Sequence, residues 1–422
     1  DLIPVILEKY EMHSKNGSGE GNISVRYVDM NKDPDVIAKY NKYYNGEIEE
    51  GSIIIYADEK VRIINNENVI NMLQADANST VPSMVFAGES TLTSEIMNIT
   101  DSHIVNVAVV KTMNSQTIYR SEFESNVNSL VNQLLAKNGY NCTDIDIATD
   151  ELKTEDYDMV IIPMPQYDFT DVILGKLSDF LYNDEKYGKN LVYIPDLIAT
   201  DLENIDEFLA DWRIQVEDTI IADVNSSTGS LDQNIYLTIS DTEAVGAVTN
   251  TALPIVAPYS RELTLLTKND GSITKEILKS SSNSFIAEIL SEDANLDTEQ
   301  KARNIVVMSR REHQINNIDI AGSNVLVIGS AFMTGSMTTL SGSSIDIITQ
   351  TNTFNNAPVL LNIFNKMTGK ETGTIIPEKA LQHPVITPTA KQDKGIKTVV
   401  IYVIPICVAA IGIFILLRRR NR

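Results

Sequence analysis

The first 88 residues alternate between helical and strand patterns of apolar side chains. Apolar residues recur at helical spacing in Pro4–His13, alternate with polar residues in Gly21–Met30, and return to helical spacing in Asp33–Tyr44. Gly51–Ile64 then predicts two strands joined by a short turn, and Asn68–Gln74 predicts a closing helix. The order of elements is therefore α-β-α-β-β-α.

That order predicts a thioredoxin-like domain over residues 1–88 whose first strand is missing. The segment contains no C-x-x-C motif, so the thiol redox chemistry of thioredoxins is not available to it.

Residues 101–255 alternate strands with helices. Short apolar runs predict strands at His103–Lys111, Tyr157–Pro165 and Asn190–Leu197. Amphipathic helices are predicted between them, at Ser121–Asn138 and Thr170–Asn183. Such alternation favours a mainly parallel α/β sheet of the Rossmann or flavodoxin-like type.

The chain returns to strands after residue 255. Strands are predicted at Arg261–Lys268, Asn304–Glu312 and Asn324–Met333, followed by a helix at Pro358–Gly369. We therefore expect one α/β region over 89–369, with 101–255 and 256–369 as candidate sub-units. Residues 370–396 show no periodicity and predict an extended juxtamembrane stalk.

The segment 397–422 has the pattern of a membrane anchor. Val399–Leu417 contains 19 residues without a charge, enough to cross a bilayer as a helix. A buried core helix is the alternative, but the flanking charges oppose it: Lys397 before the run, and Arg418, Arg419, Arg420 and Arg422 after it. By the positive-inside rule, the C-terminus is then cytoplasmic and the bulk of the chain is extracytoplasmic in the cell membrane.

The distribution of charged residues along the chain supports this topology. The chain has 34 basic and 57 acidic residues, a net charge of −23. Five of the basic residues lie in 397–422, so residues 1–396 have 29 basic against 57 acidic residues, a net of −28. This balance excludes nucleic acid as a partner, because phosphate binding needs clustered lysine and arginine.

Since an exported protein needs an export signal and the sequence starts at Asp1 without one, we expect a second transmembrane helix upstream of residue 1.

The sequence contains no catalytic motif that its neighbouring elements support. The sequence has no P-loop, no G-x-S-x-G elbow and no H-E-x-x-H helix. Gly17–Gly21 is rich in glycine but precedes a strand, and Asp29–Asp35 lacks the glycine of a calcium loop. The 4 histidines and 2 cysteines are dispersed. We therefore predict no catalytic residue, no metal site and no cofactor.

The predicted strand ends offer the one positive signal. Ligands of open α/β sheets bind beyond the carboxyl ends of the strands. Lys111, Tyr167, Asp196 and Ser330 lie at those ends without an adjacent nucleophile and base. They predict a binding or docking surface.

The order of segments resembles the GldG family, the gliding-motility-type auxiliary components of ABC transport systems. The segments that carry the resemblance are YVDMNKDPDVIAKY, LTSEIMNITD, YDMVIIPMP, DFTDVILGKLSDFL, NVLVIGSAFM and NAPVLLNIFNKMTG, followed by the basic terminal helix. The family often has Gly-His-Gly-Glu where this chain has Lys111–Ser115, and Gly-Asp-Ser where it has Gly329–Ala331. No functional residues are therefore carried over from the family.

The resemblance implies a non-catalytic, membrane-anchored auxiliary subunit that works with an ABC-2-type permease and a separate cytoplasmic ATPase. Two alternatives remain open from the residues. One is a surface ectoenzyme acting on glycans or peptides, which would need converging carboxylates. The other is a cell-surface scaffold or adhesin unconnected to a transporter.

Overall fold

A computed structural model provides the structure. It describes residues 2–15, 21–41, 48–57, 60–65, 70–73, 83–101, 104–227, 232–248, 250–267, 270–291, 299–314, 320–338, 344–370, 379–380 and 405. The chain divides into two compact units, Asp1–Lys379 and Ala380–Arg422.

In the described residues of the N-terminal segment there are three helices and two antiparallel strand pairs. The helices are α1 (Leu2–Ser14), α2 (Pro34–Asn41) and α3 (Gly88–Thr100), and the strands are β1 (Ile53–Ala57), β2 (Lys60–Ile64), β3 (Ile70–Leu73) and β4 (Ser83–Phe86). β1 pairs with β2, and β3 pairs with β4. Ile6, Ile64, Phe86 and Leu92 form a small core of their own, because the apolar faces of α1 and α3 meet the hairpin there. The predicted helix at 4–13 and hairpin at 51–64 are confirmed.

Two predictions in this segment are wrong. Gly21–Met30 forms no strand ladder, because side chains of α1 satisfy its backbone: the Ile23 amide donates to Ser14 Oγ at 3.2 Å and the Val25 amide to Glu11 Oε1 at 3.4 Å. The predicted helix at 68–74 contains β3 instead. Cross-strand pairing with β4 overrides the weak helical preference of so short a run.

The remaining strands are β5 (Val105–Met113), β6 (Gln116–Thr117), β7 (Tyr140–Asp146), β8 (Met159–Pro163), β9 (Asn190–Ile194), β10 (Ile214–Ala222), β11 (Asn234–Ile239), β12 (Ile255–Pro258), β13 (Arg261–Leu265), β14 (Ile273–Lys279), β15 (Phe285–Ile289), β16 (Asn304–Gln314), β17 (Ile320–Ile328), β18 (Ser336–Thr338), β19 (Ser344–Asp346) and β20 (Lys379–Ala380). Within the described ranges, β5 to β17 form one sheet of 13 strands. Its main path runs β12-β11-β14-β16-β17-β9-β8-β5, and β7 pairs with β5.

The sheet is parallel on one side and antiparallel on the other. β7, β5, β8, β9 and β17 are all parallel neighbours. From β17 onward the pairs β17–β16, β16–β14, β14–β11 and β11–β12 are antiparallel. The α/β class is confirmed, but the predicted mainly parallel sheet holds for one side only. One reason is that β16 and β17 follow each other directly in the chain, and a short connection joins antiparallel strands, whereas a parallel pair requires a long crossover.

The helices pack against both parts of the sheet. They are α4 (Glu124–Asn128), α5 (Asp171–Tyr182), α6 (Glu203–Asp211), α7 (Thr242–Val245) and α8 (Asn356–Thr368), and α4 continues as a π-helix over Ser129–Leu135. α5 contacts β17 of the parallel part, whereas α6, α7 and α8 contact β10, β14 and β12 of the antiparallel part. β8 and β9 are buried at every residue, which is why they appear in the sequence as unbroken apolar runs. Gly139 and Gly369 end their helices at φ values of 79° and 69°, which confirms both predicted helix ends.

The C-terminal predictions lie outside this description. Apart from Pro405, the segment from Val399 to Leu417 and the arginines at 418, 419, 420 and 422 fall outside the described residues. Within the ranges given above, no helix combines the length and the apolar character needed to cross a membrane.

Candidate functional site

The carboxyl ends of four neighbouring strands lie along one edge of the sheet. The parallel registers pair Val109 with Ile161 (β5 and β8), Pro163 with Ile194 (β8 and β9), and Tyr193 with Val327 (β9 and β17). The loops after β8, β9 and β17, which carry Tyr167, Asp196 and Ser330, therefore leave the sheet at a common edge, whereas Lys111 lies within β5. We call Arg120, Asp196, Arg261 and Ser330 the strand-end cluster.

Asp196 is fully buried directly after β9. Its Oδ1 accepts hydrogen bonds from the amides of Ile198 at 2.9 Å and Ala199 at 2.8 Å, so it closes the turn that leaves the strand. Arg120 Nε lies 3.0 Å from its Oδ2 and completes a partly exposed ion pair. A buried carboxylate of this kind needs both the counter-charge and the amide donors.

Arg261 occupies the centre of the cluster and is 4% exposed. Its Nε donates to the Glu217 carbonyl at 3.0 Å, and its Nη1 donates to the carbonyls of Ala199 at 2.9 Å and Asp196 at 3.4 Å. Its Nη2 pairs with the Asp218 carboxylate. One guanidinium therefore joins the loop after β9 to β10, and its rigid fork of donors suits this role.

Ser330 is buried after β17 and contacts the same region. Its hydroxyl donates to the Pro258 carbonyl at 2.5 Å and accepts from the Met333 amide at 3.2 Å. The preceding Gly329 lies so close to β13 that a Cβ on it would be 2.5 Å from the Arg261 carbonyl oxygen. Only glycine allows this approach.

Lys111 and Tyr167 lie on the rim of the edge. Lys111 Nζ is 2.8 Å from Asp144 Oδ2 on β7, and both side chains are partly exposed. The Ile118 carbonyl, directly after β6, accepts from the Gln166 amide at 2.7 Å and holds the loop that carries Tyr167. Tyr167 is 47% exposed. Of the four predicted residues, Asp196 accepts a hydrogen bond from the Arg261 guanidinium, and Ser330 follows Gly329, whose carbonyl accepts from the Arg261 amide. Lys111 and Tyr167 stand outside the cluster.

Two residues at this edge have left-handed backbones. Met164 follows β8 with φ 48°, and Tyr259 precedes β13 with φ 47°. Both residues carry a Cβ, so this conformation costs energy that the surrounding contacts must balance. The Tyr259 ring contacts Phe332 with 5.7 Å between ring centroids, and Phe332 contacts Phe123 at 5.4 Å. Tyr259, Phe332 and Phe123 therefore form a row of aromatic rings at this edge.

The Asp206 carboxyl interacts electrostatically with the Arg261 guanidinium and with the carboxylates of Asp218 and Asp168. Burial raises the pKa of Asp206 to about 6; Arg261 lowers that pKa, while Asp218 and Asp168 raise it. The Asp206 carboxyl therefore changes charge near pH 6. Burial also raises the pKa of the Tyr193 hydroxyl, which lies beneath the cluster.

Asp168 fixes the start of α6 from another loop. Its Oδ2 accepts from the Asn204 amide at 2.9 Å and its Oδ1 from the Ile205 amide at 3.1 Å. These amides belong to the first turn of the helix, where a carboxylate is favourable. The loop after β8 is therefore tied to the start of α6, while the loop after β9 is tied to Arg261.

Sequence reasoning missed Arg120, Arg261 and Asp206. Arg120 lies directly before a helix and Arg261 opens a predicted strand, positions that do not distinguish a buried arginine from a surface one. A weak signal exists for Arg261, because an arginine in a strand of a buried sheet must find a partner. Nothing in the sequence names that partner.

No group of three or more histidine, cysteine, aspartate or glutamate side chains in the described part of the chain could hold a metal ion. Burial raises the pKa of the Cys142 thiol to about 12, so the reactive thiolate form is disfavoured.

No family model and no curated protein sequence matches the chain. Among solved structures, the mmIFT52 N-terminal domain aligns over 64% of this chain and 100% of its own, with 13% identity and a TM-score of 0.42. A ThuA-like protein from Bacteroides uniformis aligns over 63% of this chain and 93% of its own, with 12% identity and a TM-score of 0.35. Likenesses of this size do not bear on function, and the resemblance to the GldG family stays a prediction.

Proposed function

We propose that the chain is a non-catalytic, membrane-anchored auxiliary subunit of an ABC-2-type transport system. It works with a separate permease and with a cytoplasmic ATPase that supplies the energy. Its body lies outside the cytoplasm and its C-terminal tail inside. The sequence supports this through the uncharged run Val399–Leu417, the basic tail after it, and the resemblance to the GldG family.

The observation that carries the proposal is that the polar side chains of the strand-end cluster are bonded to the surrounding protein. The carboxylate of Asp196 accepts two amides and pairs with Arg120, and the Ser330 hydroxyl donates to a carbonyl. Arg261 is engaged by three carbonyls and one carboxylate. Nucleophilic catalysis needs a hydroxyl or thiol whose proton can pass to a base. Groups bonded in this way instead hold the loops in fixed positions, as a docking surface requires.

Met164 supports the same conclusion. It occupies a strained turn directly after a parallel strand, the kind of position in which α/β-hydrolases hold their nucleophile. A thioether has no proton to lose, and the Met164 side chain is fully buried. The strain at this turn therefore shapes the loop that presents Tyr167.

The strand order supports the location of the partner. Numbered along the chain, β5, β7, β8, β9 and β17 lie in the order 2-1-3-4-5, which is the flavodoxin-like order. Folds of this type bind their ligands at the carboxyl ends of the strands. We place the contact with the permease, or with its cargo, at the loops that carry Tyr167 and Ile198, both about half exposed.

Site-specific photo-cross-linking in cells tests this proposal. A photoreactive amino acid in place of Tyr167 should form a cross-link with a multi-spanning permease. The matched control is Ile273, which is 44% exposed but lies at the opposite edge of the sheet, across from Arg310. Cross-links from Tyr167 only to soluble glycan or peptide substrates, or none to a membrane protein, would contradict the proposal and favour the ectoenzyme or the scaffold.

A further inference from the structure

The loop between α5 and β9 has an unusual backbone. Asn183, Asp184 and Glu185 are consecutive residues with φ values of 49°, 50° and 64°, and Tyr187 follows at 52°. Residues with a Cβ rarely form a left-handed turn, because the Cβ approaches the following carbonyl oxygen. The turn is held by Asn183, whose Nδ2 donates to the Tyr187 carbonyl at 2.8 Å. It lies at the edge of the sheet opposite to the strand-end cluster.

This backbone presents a corner of aromatic rings. The rings of Tyr182 and Tyr187 meet at 69° with their centroids 5.8 Å apart. The His313 ring continues the row, 6.1 Å from the Tyr187 ring and inclined to it by 14°. Tyr182 is 45% exposed and His313 is exposed. Surface tyrosines are usually mobile, whereas these rings are fixed relative to one another by contact.

The corner is electrically negative in three ways. The faces of aromatic rings carry negative partial charge. The Glu185 carboxylate accepts a hydrogen bond from the Tyr182 hydroxyl at 2.7 Å, which keeps it beside the rings. The corner also stands at the C-terminus of α5, where the helix dipole is negative and where no basic residue occupies the last turn.

Three basic side chains that lie near the corner in the sequence, Lys189, Arg310 and Arg311, contact groups outside it. Lys189 Nζ donates to the Tyr157 carbonyl at 2.7 Å, and Arg310 Nε lies 2.6 Å from Glu312 Oε1. The Arg311 guanidinium covers the Trp212 ring at 4.5 Å from its centroid. Lys186 remains as the exposed cation of the loop itself.

We propose that this aromatic corner, Tyr182, Tyr187 and His313 with Glu185, binds a trimethylammonium group. Such a cation is too large and too weakly hydrated to prefer a lone carboxylate, and aromatic faces beside a carboxylate are the arrangement that recognises it. The net charge of −28 on residues 1–396 further concentrates cations near the surface. This site is independent of the proposed docking of a permease.

The test is a proton NMR titration of the full chain, in a non-ionic detergent, with choline chloride and with 3,3-dimethyl-1-butanol. The alcohol has the shape of choline but no charge. We expect the choline methyl signal to shift with millimolar affinity, about tenfold tighter than the alcohol, because the cation–π attraction is absent from the latter. Equal binding of the two compounds, or no binding of choline, would overturn the proposal.

Variants locate the site. Tyr187→Leu should weaken choline binding about tenfold, and Glu185→Gln about threefold. Lys186→Gln should strengthen it, since it removes a repulsive charge. The control Tyr27→Leu changes an exposed tyrosine of the N-terminal segment, outside both the corner and the proposed docking surface, and should leave binding unchanged. A loss of binding in this control equal to that in Tyr187→Leu would refute the assignment, and circular dichroism would verify that each variant is folded.

Discussion

Replacement of Asp206 by asparagine should stabilise the protein at pH 8 and have little effect near pH 4. The carboxyl is half-buried on α6, and burial raises its pKa from 3.8 to about 6 although Arg261 opposes the rise. A carboxyl whose pKa is higher in the folded state favours folding when it is protonated. That contribution is fully present below pH 3.8 and is lost as the pH rises through about 6.

The size of the effect follows from the same values. A rise from 3.8 to about 6 corresponds to about 3 kcal/mol, at roughly 1.4 kcal/mol for each tenfold change in proton affinity. Because the side chain keeps contact with water, screening reduces this to about 1 to 2 kcal/mol. Asparagine keeps the shape and cannot ionise, so Asp206→Asn should exceed the wild type by that amount at pH 8. The difference should narrow steadily toward pH 4.

The assay is urea unfolding of the full chain, followed by the fluorescence of Trp212. This residue is the single tryptophan of the chain, it is 5% exposed, and it directly follows α6. Glu207→Gln removes one charge from an exposed position of the same helix and should not change the pH dependence. Parallel pH profiles for the wild type and Asp206→Asn would refute the reasoning. A variant less stable than the wild type at pH 8 would show instead that the Asp206 carboxylate is a favourable partner of Arg261.

Two further predictions concern the strand-end cluster. Arg261→Met should lower the free energy of unfolding by about 3 to 5 kcal/mol, because it leaves the partly buried Asp218 carboxylate and three carbonyls without their donor. The measurement is urea unfolding. A loss below about 1 kcal/mol would show that water replaces the guanidinium. Gly329→Ala should lower the melting temperature, because its Cβ would meet the Arg261 carbonyl oxygen at 2.5 Å. Gly175→Ala on α5, where a Cβ meets nothing within 4 Å, should instead raise stability by about 1 kcal/mol. Similar effects of the two glycine substitutions would contradict the close approach at Gly329.

The sequence predicts this fold well where the apolar pattern within one element determines its type. β8 and β9 are unbroken apolar runs, and the helices α5 and α8 carry one apolar face each, so their type and place follow from periodicity. The prediction fails where contacts with another element determine the structure. The alternating pattern of segment 21–30 is typical of a strand, yet two of its amides donate to the side chains of Ser14 and Glu11 on α1 instead of to a neighbouring strand.

For the candidate site, the location could be predicted from the sequence but the interacting residues could not. The edge itself could be predicted, because strand ends of parallel sheets converge and the apolar runs mark where they end. Its chemistry could not. Arg261 lies 65 residues after Asp196 in the chain, and their contact depends on the antiparallel strands that follow β9. The left-handed turn at Asn183–Glu185 is likewise invisible in a sequence without glycine at those positions.

The composition of the complex purified from membranes tests the central claim most directly. The full chain, tagged at its C-terminus and extracted in mild detergent, should bring down one multi-spanning permease and one ATPase in fixed ratio, as quantified by mass spectrometry. The chain alone should have no ATPase activity, and the complex should have it. Recovery of the chain without either protein, from membranes that contain the intact system, would contradict the account.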